Sequence, residues 1–277
     1  MNTIYTSPVC ELKELKDIFI EMTAKNCNTR CSQCYIDFPY TKNVKDFIKT
    51  DKIKEALNEL KNINIRCIYL TGAEPMTHPD FNSILRLCLK KTNVCICTNA
   101  SFINEKKSRF LKSVENNSDY KIIFKLSFVH YDEIKNDNIR SRGSYRQNIY
   151  ALKCLDKYDF TNILNISNYY KEPHEKIIYE FQRKIEDIGV ENAIIQINEW
   201  SNHSADEITS EIGSPDCMTS RTLTENGIFS CPFLSNDYRG RMGSDFSNYS
   251  KSIRLETEHC ATCIKNKDKI FSTDIDW

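Results

Sequence analysis

Over its first two-thirds the sequence alternates between short, almost unbroken apolar runs and longer amphipathic stretches. The runs at 17–24 (DIFIEMTA), 66–72 (RCIYLTG), 93–99 (NVCICTN), 121–128 (KIIFKLSF), 162–168 (NILNISN) and 192–198 (NAIIQIN) are mostly rich in Ile and Val. A strand solvated on one face alternates apolar with polar residues, so these runs predict parallel strands covered on both faces. Between them apolar residues recur at helical spacing. Ile53, Leu57, Leu60 and Ile63 share one face, as do Phe81, Leu85, Cys88 and Leu89. Ile177, Phe181, Ile185 and Ile188 share another, with Gly189 where a C-terminal cap is expected. Strand–helix alternation on this scale predicts an α/β fold built on a βα-repeat sheet or barrel. Six such strands are too few for an eight-fold barrel.

The pattern breaks after Trp200. Residues 201–216, SNHSADEITSEIGSPD, are polar and irregular and read as a linker. TLTENGIFSCPF reads as a hairpin of two short strands joined through Glu225, Asn226 and Gly227. The remainder has so little apolar periodicity that it calls for a metal or similar staple. We therefore expect a first domain over 1–200 and a second, linker included, over 201–277.

Bulk composition excludes several classes. Lys and Arg number 38 and so do Asp and Glu, and no basic stripe forms a nucleic-acid groove. No apolar run reaches the roughly 18 to 20 residues that span a bilayer, and the N-terminus has no signal-peptide design. The expectation is a cytoplasmic protein with neither nucleic-acid nor membrane partners. In that reducing setting, thirteen cysteines point to metal ligation rather than disulfides. Cys67, Cys88, Cys95, Cys97 and Cys154 fall in apolar strand or helix patterns and read as core thiols. His130, His174 and His203 read as structural or surface groups.

Two cysteine groups remain. Cys27, Cys31 and Cys34 lie within eight residues of loop after the first expected strand. Soft thiolates select zinc, copper or iron–sulfur centres. Three ligands on a centre that prefers four leave one position open for chemistry, whereas a remote fourth ligand would make a structural zinc knuckle.

The CxxxCxxC spacing followed by the aromatic Tyr35 resembles the signature of radical S-adenosylmethionine (SAM) enzymes. That resemblance implies a partial (β/α)6 barrel and a [4Fe–4S] cluster held by Cys27, Cys31 and Cys34. The fourth iron would be chelated by SAM, which is split by one electron to a 5′-deoxyadenosyl radical that abstracts hydrogen from substrate. It also implies a flavodoxin- or ferredoxin-type electron donor. Tyr35 would sit near the adenine. Gly72-Ala73-Glu74-Pro75 is similar to the family's Gly-Gly-Glu-Pro, with Ala73 for the second Gly, and implies that backbone and acid bind the SAM ammonium. Thr98-Asn99-Ala100 resembles its Thr-Asn-Gly. By the same match Ser127 and Arg140 would contact the SAM carboxylate or ribose, with Arg142 a rival for Arg140. Each motif ends an expected strand, on the rim that carries the active site in parallel βα folds.

Cys217, Cys231, Cys260 and Cys263 form the second group, and four thiolates suit zinc or a [4Fe–4S] cluster equally. Hairpin, intervening Cys and terminal CxxC resemble the Twitch domain, a short form of SPASM, which implies an auxiliary [4Fe–4S] cluster. Fully ligated, that cluster would pass electrons, as in alcohol-oxidising members of the family. The expected activity is thus an oxidation, with peptide thioether formation or epimerisation as the alternative and a non-catalytic zinc protein as a third reading. An epimerase needs a hydrogen-donor Cys, and Cys154 is one candidate. Only about 16 residues precede the first strand, which leans toward a small molecule, or a peptide delivered by another protein. Asn165, Asn168, Gln196 and Asn198 are candidates to face the cavity.

Overall fold

The computed structural model describes residues 7–36, 45–191, 193–199, 215–235, 237–266 and 270–273. Trp200, His203 and the expected linker up to residue 214 lie outside the described residues. After a short β1 (Val9–Glu11), all six expected strands form, each within one residue of its expected bounds. They are β2 (Asp17–Thr23), β3 (Cys67–Gly72), β4 (Asn93–Thr98), β5 (Ile122–Phe128), β6 (Thr161–Asn168) and β7 (Ala193–Glu199). They lie side by side in that order, every neighbouring pair parallel.

Their continuous apolarity resolves into two faces. Ile18, Ile20, Ile68, Leu70, Val94, Ile96, Phe124 and Leu126 point outward into one core shared with the covering helices. Phe19, Cys67, Tyr69, Cys95, Ile123 and Ile163 form a second, inner cluster. The helices are α1 (Thr50–Glu59), α2 (Phe81–Cys88), α3 (Glu105–Glu115), α4 (Glu133–Ile139), α5 (Ser144–Asp156) and α6 (His174–Asp187). Four expected helical residues fall outside these bounds: α1 ends at Glu59, α2 at Cys88 and α6 at Asp187, so Leu60, Leu89 and Ile188 are C-caps, and Ile63 is an exposed loop residue.

The C-terminal part comprises α7 (Pro215–Thr219), β8 (Ser220–Thr224), β9 (Gly227–Phe229), β10 (Arg241–Gly243), β11 (Ser252–Arg254) and α8 (Glu258–Asn266). The expected hairpin is β8–β9, paired so that Thr224 faces Gly227. Gly227 has φ +130°, and a Cβ there would meet the Gly243 carbonyl oxygen at 2.3 Å, so glycine is needed for β10 to approach. The hairpin is not separate from the first two-thirds of the chain. β8 lies parallel to β2, with Ile18 opposite Arg221, giving an open nine-stranded sheet in the order β10-β9-β8-β2-β3-β4-β5-β6-β7. β1 in turn pairs antiparallel with β11. A division at residue 200 therefore falls between β7 and β8 without separating two sheets.

Candidate active site

The loop after β2 carries Cys27, Cys31 and Cys34, all half-buried, beside the C-terminal rim of the sheet. Thr29 organises it: its backbone N–H donates to Cys27 Sγ at 3.4 Å, and its hydroxyl lies 3.1 Å from the same sulfur. Asn99 Nδ2, from the end of β4, reaches Cys27 Sγ at 3.6 Å and Asn28 Oδ1 at 2.9 Å. Ser32 N–H donates to the Ile139 carbonyl at 2.8 Å, tying the loop to the end of α4. Burial pushes the Cys34 thiol up to about 11, and repulsion from Cys31 and Cys27 adds to it. Thiols in this state take up a cation only by losing protons, as cysteine ligands of metals do.

Glycine is obligatory at the end of β3. Gly72 has φ +114°, and a Cβ there would meet the Thr23 carbonyl oxygen at 2.3 Å. The close approach lets Ala73 N–H donate to Thr23 O at 2.8 Å and Glu74 N–H to Asn26 O at 3.0 Å. Glu74 itself is 1% exposed. Its Oε1 accepts from Thr98 Oγ1 at 2.8 Å and Met76 N–H at 3.1 Å, and its Oε2 accepts from Asn99 N–H at 2.8 Å. Burial raises its carboxyl against the pull of these donors. The structure thus places Glu74 behind the rim, joining the ends of β3 and β4, while Gly72 and Ala73 line the cavity in front of it. Ala100, where the family motif has glycine, adopts φ +66°, a conformation that costs an L-residue roughly 1–2 kcal/mol.

Of the two rival arginines the structure separates one from the other. Arg142 is exposed, whereas Arg140 is 5% exposed and lines the cavity. Asp137 sets the loop that carries it, accepting from Gly143 N–H at 2.6 Å and Tyr145 N–H at 2.9 Å. Arg140 Nε is buried without a hydrogen-bond partner. Such a group calls for an acceptor. Ser127 lines the same cavity, as does Tyr35, whose ring packs edge-on against Phe233 with centroids 5.2 Å apart.

Toward the interior the inward-facing residues change from apolar to polar. Asn165 and Asn198 line the cavity, joined by a 2.7 Å hydrogen bond. Gln196 reaches Ser272 O at 3.5 Å, while Asn168 is engaged by Glu172 and Glu199 instead. Cys97 is a correction to the core-thiol reading: it is half-buried and lines the cavity, because on β4 it shares the inward face with Cys95. A hydrogen bond from Cys95 and the nearby Lys125 ammonium lower its pKa. Cys154 lies away from this site, packed from α5 into the outer core. Lys125, an inward cation on a largely apolar strand, donates to the carbonyls of Ile270 and Phe271 at 3.0 and 2.7 Å. Asp216 holds the same segment by accepting from the Ile270 and Phe271 N–H groups at 2.8 and 3.0 Å. Residues 270–271 therefore close one side of the cavity.

The four cysteines of the second group are all buried and line one small apolar cavity with Phe233, Leu234, Ile253, Leu255, His259 and Ile264. Burial pushes Cys231 up to about 12 and Cys263 well above its ordinary value. Phe233, two residues after Cys231, lines this cavity and the main one.

Comparison with known proteins decides the family. The sequence profile of the Radical SAM superfamily matches residues 22–195, more than half of the chain. The chain belongs to the radical SAM superfamily. It is 25% identical over 190 residues to the antilisterial bacteriocin subtilosin biosynthesis protein AlbA of Bacillus subtilis (strain 168), covering 68% of this chain and 40% of AlbA. It is 26% identical over 154 residues to GTP 3′,8-cyclase of Clostridium perfringens (strain SM101 / Type A), covering 52% of this chain and 44% of the cyclase. The chain thus spans less than half the length of these curated relatives. Among solved structures, anSMEcpe with bound SAM superposes with a TM-score of 0.62 at 14% identity, over 83% of this chain and 74% of that one. Streptococcus suis SuiB bound to SAM gives 0.59 at 16%, over 82% and 62%.

Radical SAM proteins are enzymes that use a [4Fe–4S] cluster and SAM, and the donor set here fits both. The thiol-only loop suits iron–sulfur ligation. Arg140, which lines the same cavity and has its Nε buried without a partner, suits an anionic group such as a carboxylate. Lys125, Asp216 and Phe233 escaped sequence reasoning. Only the lysine left a trace, as a charge inside an apolar run.

Proposed function

We propose that the chain cleaves SAM reductively at Cys27, Cys31 and Cys34 and abstracts a hydrogen atom from a substrate held in the adjoining cavity. The carrying observation is that these three thiols, Gly72, Ala73, Thr98, Asn99, Ser127 and Arg140 all line one cavity. With the cofactors bound, one electron from the cluster supplies the 5′-deoxyadenosyl radical. The chain's own residues do the rest. Gly72 and Ala73 present backbone to the SAM ammonium, and Glu74 fixes that turn from behind. Arg140 and Ser127 receive the carboxylate or ribose, and Tyr35 lies beside the adenine. The inward polar layer of Cys97, Lys125, Asn165 and Asn198 faces the substrate.

Cys217, Cys231, Cys260 and Cys263 would hold an auxiliary [4Fe–4S] cluster in a Twitch-like C-terminal region, which would supply a one-electron acceptor for an oxidation. Four buried thiols around one apolar cavity support this reading. The electron donor is of the flavodoxin or ferredoxin type.

A second reading is peptide modification, thioether formation or epimerisation, supported by the similarity to a bacteriocin biosynthesis protein. Under it the hydrogen donor is the cavity-facing Cys97 rather than Cys154. The test is anaerobic reconstitution with iron and sulfide. The proposal expects about eight of each per chain, because two four-iron clusters are invoked. It also expects reductant-dependent SAM cleavage that Cys27→Ala, Cys31→Ala or Cys34→Ala abolishes, and deuterium transfer from substrate into 5′-deoxyadenosine. A colourless, iron-free protein after reconstitution, or cleavage surviving any of the three substitutions, refutes it.

A further inference from the structure

The second cysteine group contains a charge that nothing described around it balances. Arg221, on β8, is 0% exposed and heads the largest fully buried side chains. Its Nη1 donates to the carbonyl oxygens of Cys217 at 2.8 Å and Ser220 at 2.7 Å, and its Nη2 to that of Lys251 at 2.7 Å. Its Nε has no partner. Carbonyl groups solvate a guanidinium but do not neutralise it, and among the described residues no carboxylate pairs with it. Burying an ion without a counter-charge costs several kcal/mol, so a guanidinium so placed implies an anion nearby in the working protein.

The groups around it identify that anion. Arg221 Nη1 is held on the backbone of Cys217, and Cys217, Cys231, Cys260 and Cys263 are all buried around one cavity. Cysteine ligands bind a metal centre as thiolates, and four thiolates around a [4Fe–4S] core would leave a net negative charge beside the guanidinium.

We propose that Arg221 is the counter-ion of the auxiliary cluster and, by favouring the reduced and more negative state, raises its reduction potential. The inference rests on the cluster reading above and deepens it. A buried cation fixed through Cys217 O makes an electron acceptor of a centre that four thiolates would otherwise keep strongly reducing. Arg221 is a positioning residue: it acts on the cluster and touches no substrate.

The experiment uses the full chain carrying Cys27→Ala, Cys31→Ala and Cys34→Ala, loaded anaerobically, so that only the C-terminal site contributes. Electron paramagnetic resonance follows the reduced cluster as a function of applied potential. Arg221→Gln keeps a donor for the carbonyls and removes the charge, whereas Arg221→Lys keeps the charge and loses part of the fork. The expected result is at least a tenfold fall in the reduced-to-oxidised ratio for Arg221→Gln at fixed potential, which is 59 mV for one electron, and a several-fold smaller change for Arg221→Lys. A loaded Arg221→Gln protein that titrates with its parent overturns the proposal. Should Arg221→Gln fail to load, urea unfolding of chelator-stripped protein decides. The counter-ion role expects stripped Arg221→Gln to be at least as resistant as its stripped parent, because an uncompensated charge has been removed. Lower resistance marks a carbonyl clamp alone and overturns the proposal. If the parent holds no iron at this site, the cluster reading fails first, and that outcome is distinct from a loaded cluster indifferent to Arg221.

Discussion

Replacing Glu74 separates two roles that the motif alone leaves merged. A carboxylate that binds the SAM ammonium directly can become Gln with loss of SAM affinity and little loss of stability. The structure instead gives Glu74 three protein donors in a site 1% exposed. A buried donor left without its acceptor costs about 1–3 kcal/mol. Glu74→Ala orphans three, so the loss is at least about 3 kcal/mol by that count, a large share of the roughly 5–15 kcal/mol that holds a domain folded. In Glu74→Gln the amide oxygen replaces Oε1, which serves Thr98 and Met76, and the amide nitrogen faces the Asn99 N–H. Only one donor is orphaned, at about 1–3 kcal/mol. The assay is urea denaturation of SAM-free protein followed by circular dichroism, with SAM binding measured separately. The expected order of midpoints is parent, Gln, Ala, with SAM affinity falling in the same order as the turn at Gly72 loosens. Unchanged SAM-free midpoints in both variants, with SAM binding lost, would refute the buried-clamp argument and return Glu74 to direct contact.

Gly72→Ala must move φ out of the left-handed region and push the Thr23 carbonyl away from a 2.3 Å contact. The strain and overpacking together cost about 2–5 kcal/mol, and a thermal midpoint equal to the parent's contradicts it. Arg140→Leu is expected to weaken SAM binding at least tenfold in equilibrium dialysis, and Arg142→Leu to leave it within twofold, by the worth of a charge-assisted hydrogen bond. The reverse order would assign the contact to Arg142. Cys97→Ser is expected to alter substrate turnover or product distribution while 5′-deoxyadenosine formation continues, and Cys154→Ser to leave the product ratio unchanged. A product ratio that responds to Cys154 and not to Cys97 refutes the placement of Cys97 against the substrate.

Several features were legible because they are local. Apolar runs covered on both faces mark parallel strands wherever they occur, and all six were found to within a residue. The thiol spacing of the first loop, the glycine at the end of β3 and the Thr-Asn pair at the end of β4 are short-range patterns, and a strand end is where a parallel sheet exposes its backbone. Inward and outward faces were not legible. In a run such as NVCICT both faces are apolar, so nothing in the sequence distinguishes Cys97, which lines the cavity, from Ile96, which faces the helices. Similarly, KIIFKLSF does not announce that Lys125 points inward to carbonyls about 145 residues away.

The sequence by itself determined the six parallel strands, three of the helices and the β8–β9 hairpin, since each depends on residues a few positions apart. Only the tertiary structure decided that β8 joins β2, that Glu74 stands behind the rim with Arg140 in front of it, and that Arg221 lies buried beside the second group of thiols. Those outcomes turn on which distant segments pack together, and on how burial sets the cost of a charge once they have.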